Sequence, residues 1–320
     1  MVVKEKPYMS FVIIGRNDNY AEGYMYRLQI FINHLVYLCE RFKLPAEIIV
    51  VEWNPPKENN MLYEELIIPK DRKYVSIRFI EVPNKIHKKL KNSDKIHFFE
   101  FIGKNVGIKR AMGDFVLVTN TDIIFNEKMI QTFSERWLKD GVYYRANRYD
   151  MPVSIPSSLK MNKVSSFCKA NWHHCWSPRF GHYLRKPTLK DFIRIPSRTA
   201  LKYFSYFSYL RYHGGAPGDF MLLSKKGWNS VRGFPETSFQ RGLLDGYTSI
   251  QIISDNNKFK ILDGTRTYHQ YHKISPMCYG KEQEKEYLKD ARKMLEEEKA
   301  IIENSSDWGL GNYNFKEKVF

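Results

Sequence analysis

Three short apolar runs punctuate the first 125 residues: Ser10–Gly15 (SFVIIG), Glu47–Val51 (EIIVV) and Asp114–Thr119 (DFVLVT). Each is rich in β-branched or aromatic residues and each gives way to polar ones. Continuous apolar runs of this length predict strands of a sheet covered on both faces. A fourth run, Val75–Val82 (VSIRFIEV), alternates and predicts another strand. Between them lie helical patterns. Arg27–Phe42 carries Leu28, Phe31, Ile32, Leu35, Leu38 and Cys39 on one face, and Gly103–Met112 predicts a short helix leading into the third run. Strand–helix–strand alternation predicts an α/β fold, with a mixed, mostly parallel, Rossmann-like sheet flanked by helices. Ligands of such sheets bind at the carboxyl ends of the strands.

The pattern changes after residue 150. Residues 151–215 hold 11 Lys and Arg against the single acid Asp191, and four of the nine His. Pro152, Pro156, Pro178, Pro187 and Pro196 interrupt any periodicity. This stretch reads as a basic, aromatic insertion or a set of site loops. Residues 216–272 return to strand-like and helix-like pieces. Gln283–Ile302 predicts a charged helix with Tyr287, Ala291, Met294, Leu295, Ile301 and Ile302 inward. The organisation expected is one domain over 1–272, with a first half at 1–125 and a second at 216–272, followed by a helical extension over 273–320.

Composition narrows the class. Of 320 residues, 43% are hydrophobic and 27% charged, which excludes a disordered or fibrous chain. A formal net charge of +16, of which residues 151–215 carry +10, points to an anionic partner. No stretch is long and apolar enough for a membrane span, and the first residues lack a secretory h-region. Cysteines at 39, 168, 175 and 278 are too scattered for a disulfide framework. A cytoplasmic, reducing setting is therefore expected.

Gly15-Arg16-Asn17-Asp18 follows the first run and Glu52-Trp53-Asn54-Pro55-Pro56 the second. An acid there can accept hydrogen bonds from a nucleobase, and an Arg can meet a phosphate. These are also ordinary turn residues. The segment from Lys104 to Asp114 is a basic helix that runs into Val118-Thr119-Asn120-Thr121-Asp122. Alternation along an extended segment would point Asn120 and Asp122 to one side. A carboxylate with an amide oxygen suits a hard divalent cation that also holds phosphates. Lys109 and Arg110 could neutralise those phosphates.

The string N-V-G-I-K-R-A-x-G-D-F-V-L-V-T-N-T-D, Asn105 to Asp122, resembles the centre of nucleotide-sugar glycosyltransferases of the GT-A fold, family 2-like. The family's Asp-x-Asp signature binds Mn²⁺ or Mg²⁺ and the donor diphosphate, and Asn120 stands at its first position here. Gly218-Asp219-Phe220 through Trp228, then Val231-Arg232-Gly233-Phe234-Pro235-Glu236, is similar to the acceptor-side segment. Leu244-Asp245 stands where the family has an acidic pair, and Tyr268-His269-Gln270-Tyr271-His272 resembles a C-terminal metal-binding His segment. The likeness covers residues 10–125 and 214–272.

The resemblance implies sugar transfer from a nucleoside-diphosphate donor, a UDP-sugar, to a hydroxyl of a glycan or lipid-linked acceptor, with inversion. It implies Asp245 as general base, with Asp219 as second candidate. Donor contacts would come from Gly15, Arg16, Asn17, Glu52, Asn105, Lys109, Arg110, Asn120 and Thr121. Metal ligands would be Asp122, Asn120 and His269. Strand geometry would set His269 and His272 on opposite faces, so that only one faces the metal. Cys168, His173, His174 and Cys175 do not have zinc-site spacing and read as loop or core residues. The aromatic segment Leu201–Tyr212, with Lys186, Lys190, Arg194 and Arg198, suits either packing, an acceptor groove, or peripheral membrane contact through 186–212. Two other classes stay open: a nucleic-acid-binding protein using 151–215, which the strand-end acids disfavour, and an inactive sugar-binding GT-A domain.

Overall fold

Strands β1 (Met9–Gly15) and β2 (Ala46–Trp53) are buried at every position, as continuous apolar runs require. The computed structural model describes residues 5–18, 22–178, 181–185, 217–237, 244–272 and 281–320. Around β1 and β2, the chain forms α1 (Tyr24–Arg41), α2 (Leu62–Glu65), β3 (Val75–Val82), α3 (Asn84–His87), α4 (Glu100–Arg110), β4 (Phe115–Val118) and β5 (Ile123–Phe125). There follow α5 (Glu127–Ser134), β6 (Val142–Asp150), α6 (Met161–Asn171), β7 (His174–Ser177) and β8 (Gly181–Leu184). A 3₁₀ turn, Pro217–Asp219, leads to β9 (Met221–Ser224), α7 (Lys225–Val231), α8 (Leu244–Ser254), β10 (Lys258–His269), α9 (Lys281–Glu297) and β11 (Lys316–Val319).

Among the described residues these strands form one mixed sheet in the order β11-β3-β2-β1-β4-β9-β6-β10-β5, with the β7–β8 hairpin attached to β6. The strands β3, β2, β1 and β4 are parallel neighbours. β9 runs antiparallel to both β4 and β6, and β10 is parallel to β6. The carboxyl ends of β1, β2, β4, β6 and β10 therefore share one edge of the sheet. This mixed sheet, with its parallel core and flanking helices, is the fold class the sequence predicts.

Alternate residues of β1 feed opposite cores. Phe11 and Ile13 pack with Leu28, Phe31 and Leu35 of α1 and with Phe133 of α5. Val12 and Ile14 pack with Val106 of α4, Trp228 of α7 and Trp308. Helix α4 lies so close to β1 that a Cβ at Gly107 would sit 2.5 Å from Val12 Cγ1, which only glycine avoids.

Three expectations change shape. The Gly103–Met112 helix begins three residues earlier, at Glu100. The described part of the basic insertion is regular, a helix and a hairpin, with Cys168 and Cys175 as buried core thiols. The segment 273–320 is more than a helical extension. Tyr287, Ala291 and Met294 of α9 pack on Tyr247 and Ile250 of α8, and β11 joins the sheet antiparallel to β3. The stretch 186–212 lies outside the described residues, as do Cys278 and His213. No helix among the described residues is long and apolar enough to cross a membrane.

Candidate metal centre at the strand ends

β4 stops at Val118, and Thr121 and Asp122 form a turn before β5. Asp122 therefore does not follow strand alternation from Asn120, and the two side chains enter different parts of the site. Asp122 meets the chain leaving β10: its backbone carbonyl accepts from Gln270 N at 2.9 Å. Its Oδ2 lies 3.5 Å from His269 Nε2 and 3.2 Å from His272 Nε2. The two imidazole Nε2 atoms are 3.2 Å apart. One atom from each of Asp122, His269 and His272 lies within 4.8 Å of the others, an arrangement that could hold a metal ion. Asp122 Oδ1 is buried and has no hydrogen-bond partner. Burial pushes the Asp122 carboxyl up, but the adjacent His269 and His272 win and hold it well below the ordinary carboxylate range. His272 joins His269 because the strand ends at His269, so alternation no longer governs the residues beyond it.

Around this cluster lie further polar groups from β6 and the 3₁₀ turn. Asp150 Oδ1 lies 3.6 Å from His269 Nδ1. Asp150 also accepts from Arg148 Nε at 2.6 Å and Trp176 Nε1 at 2.9 Å. Burial raises its carboxyl, but His174, Arg148 and His269 outweigh burial and hold it low. Arg148 Nη1 donates to Asp219 Oδ2 at 2.5 Å, and Asn120 Nδ2 donates to Asp219 Oδ1 at 2.7 Å. Buried Lys104 then donates to Asn120 Oδ1 at 2.9 Å and pairs with Glu100 at 2.6 Å. Thus Asn120 bridges Lys104 and Asp219, with its amide oxygen turned to an ammonium group. Asp245, in the first turn of α8, accepts from Gly218 N at 2.9 Å and from Gly246 N at 2.8 Å. Gly218 connects it to the Asp219 turn.

The remaining expected donor residues separate into two groups. Gly15, Arg16, Asn17, Glu52 and Thr121 lie at the carboxyl edge. Arg16 ties the loops after β1 and β2 together, donating from Nε to Asn54 O at 2.8 Å and from Nη1 to Asp18 at 2.9 Å. Asn17 donates to Asn60 O. Both Glu52 oxygens accept from Leu62 N, at 3.0 and 2.9 Å. Burial pushes the Glu52 carboxyl up to about 7 even against that N–H.

Asn105, Lys109 and Arg110 are not brought to this edge. Helix α4 precedes β4, so its last turn lies at the amino end of that strand. There Arg110 donates to Gly309 O, Leu310 O and Tyr313 O. Lys109 sits 4.7 Å over the Trp308 ring. Asn105 is buried and exchanges hydrogen bonds with both backbone groups of Phe234. Arg148, Asp150 and Lys104 are site neighbours that were not singled out from the sequence. The Arg148-x-Asp150 spacing at the polar end of VYYRANRYD is the signal for the first two, since alternate strand residues share a face.

No family model matches the sequence, and no curated protein matches it in sequence. Solved structures do resemble it. One is the catalytic domain of Drosophila β1,4-galactosyltransferase 7, solved in complex with xylobiose. It is 9% identical over 86% of this chain and 77% of that chain, with a TM-score of 0.41. Another is GalNAc-T7 with UDP, GalNAc and Mn²⁺, 11% identical over 84% of this chain and 45% of that chain, with a TM-score of 0.47.

Proposed function

We propose that this chain is a metal-assisted glycosyltransferase of the GT-A type. It would move a sugar from a nucleoside diphosphate, a UDP-sugar, to a hydroxyl of a glycan or lipid-linked acceptor. The observation that carries the reading is the Asp122–His269–His272 cluster at the carboxyl edge of the sheet, with Asp122 Oδ1 buried and unpartnered. A buried carboxylate oxygen without a donor is costly unless something completes it. One carboxylate and two imidazoles suit Mn²⁺ better than Mg²⁺, which favours oxygen ligands and retained water. A cation bound there would supply Lewis-acid neutralisation of the charge that develops on the leaving diphosphate.

The chain's own groups supply the rest. Asp150 is placed to orient His269 so that its Nε2 faces Asp122. Asp219 spends both oxygens on Arg148 and Asn120, which suits it to positioning. Among the described residues Asp245 accepts only backbone N–H bonds, and it is half-buried, so it is the better general base. It would take the acceptor hydroxyl proton as that oxygen attacks the anomeric carbon from the face opposite the diphosphate. The test is calorimetric titration with UDP, GDP, CDP and dTDP, with and without Mn²⁺. Mn²⁺-dependent binding of UDP, lost in Asp122→Asn, is expected; no nucleotide binding under either condition would refute the reading.

A further inference from the structure

A cleft of about 350 Å³ opens beside His272, lined by Gly23, Arg27, Ile155, Gln270, Tyr271 and His272 among others. Helix α1 begins at its wall. The N-cap is Gly23, in the left-handed region at φ 73°, where a side chain would be strained. As a glycine the N-cap supplies no side-chain cap, and the first turn of the helix holds no acid. The positive end of its dipole lies at this wall of the cleft.

Arg27 lies one turn into that helix and is only 6% exposed. Its Nη1 donates to Glu22 O at 2.6 Å, while its Nε is buried without a hydrogen-bond partner. Among the described residues no carboxylate pairs with this guanidinium. Glu22 lines the same cleft, but it meets Arg27 through its backbone carbonyl. Keeping a cation buried without a counter-charge is costly, and the cost falls when an anion docks against it.

We propose that this cleft is an oxyanion subsite, in which Arg27 and the amino end of α1 hold a phosphate or carboxylate group of a bound ligand. Tyr26 and Tyr271 stand exposed at the cleft and offer ring faces to the part of the ligand next to the anion. That combination selects a charged sugar or a nucleotide. The subsite deepens the transfer reading and rests on it only for the source of the anion, which is either the donor diphosphate or an acidic group on the acceptor.

The full chain is titrated with inorganic pyrophosphate in EDTA, so that no cation carries the anion. Wild type is expected to bind, Arg27→Gln to lose about tenfold or more in affinity, and Arg27→Lys to recover part of it. Equal affinity in a folded Arg27→Gln chain, or no binding by wild type without cation, overturns the proposal. If Arg27→Gln does not fold, the Arg27 Nε–H resonance of the wild type decides. It is assigned with Arg27→Lys and must shift on pyrophosphate addition; an unmoved resonance overturns the subsite. Displacement of pyrophosphate by UDP with Mn²⁺ assigns the site to the donor, and simultaneous binding assigns it to the acceptor; both support the subsite. A chain that binds pyrophosphate but no nucleotide keeps the subsite and fails the transfer reading.

Discussion

His272 Nε2 lies 3.2 Å from Asp122 Oδ2, across the gap between the chain leaving β10 and the turn before β5. That contact makes His272 a full member of the candidate metal centre. Asp122→Asn, His269→Ala and His272→Ala should each weaken Mn²⁺ binding more than about 100-fold, since even groups behind metal ligands are worth 10–100-fold. Asp150→Asn should cost about tenfold through loss of His269 orientation. Calorimetry with Mn²⁺ alone checks the series; a His272→Ala chain with unchanged affinity would remove His272 from the centre.

Asn120 should not be improvable toward an Asp-x-Asp signature. Asn120→Asp would set a carboxylate against Asp219, whose Oδ1 now accepts from the Asn120 amide nitrogen. The lost donor and the added like charge should cost about 1–3 kcal/mol of stability without strengthening Mn²⁺ binding. Denaturant unfolding and metal titration of this variant give both numbers, and tighter metal binding would contradict the assignment of Asn120 as a bridge.

Asp245 and Asp219 are separable by kinetics. Asp245→Asn should lower kcat by about 10²–10⁴-fold with little change in donor binding. Asp219→Asn should instead disturb the Arg148–Asn120 contacts and raise KM for the donor. The reverse pattern would exchange their roles.

Arg110 is expected to stabilise the fold and leave nucleotide affinity unchanged. It donates to three carbonyls of the 309–313 segment and packs 4.6 Å over the Phe315 ring. Arg110→Ala should cost about 1.5–3 kcal/mol. Loss of UDP binding in a folded Arg110→Ala chain would return it to the donor site.

Glu52 makes stability depend on pH. The folded carboxyl is raised from 4.5 to about 7, so between those values the folded chain holds a proton that the unfolded chain has released. Its contribution thus weakens as pH rises from 4.5 to 7 and is level above that. Glu52→Gln should flatten this dependence, by about 1–3 kcal/mol across the window. Thermal melts of both chains from about pH 4.5 to pH 8 check it, and parallel curves would refute the assignment.

Much of this was legible in the order of residues. The runs at 10–15, 47–51 and 114–119 and the face of Leu28, Phe31 and Leu35 follow from burial alone, because a chain must alternate or repeat its apolar positions to cover a sheet. The polar residues that end those runs, Asp122 among them, had to collect at one edge once the strands were parallel. Tertiary structure decided what nearness along the chain cannot. Lys109 and Arg110 are adjacent in sequence to the metal segment, yet a helix feeding a parallel strand ends at the strand's opposite edge. His269 and His272 meet Asp122 from 147 or more residues away because β10 ends where β5 begins its pairing. Arg148 and Asp150 reach the site only through β6 lying next to β10. Periodicity reports which face a residue occupies, whereas the partners of a buried charge are set by which strands the fold makes neighbours.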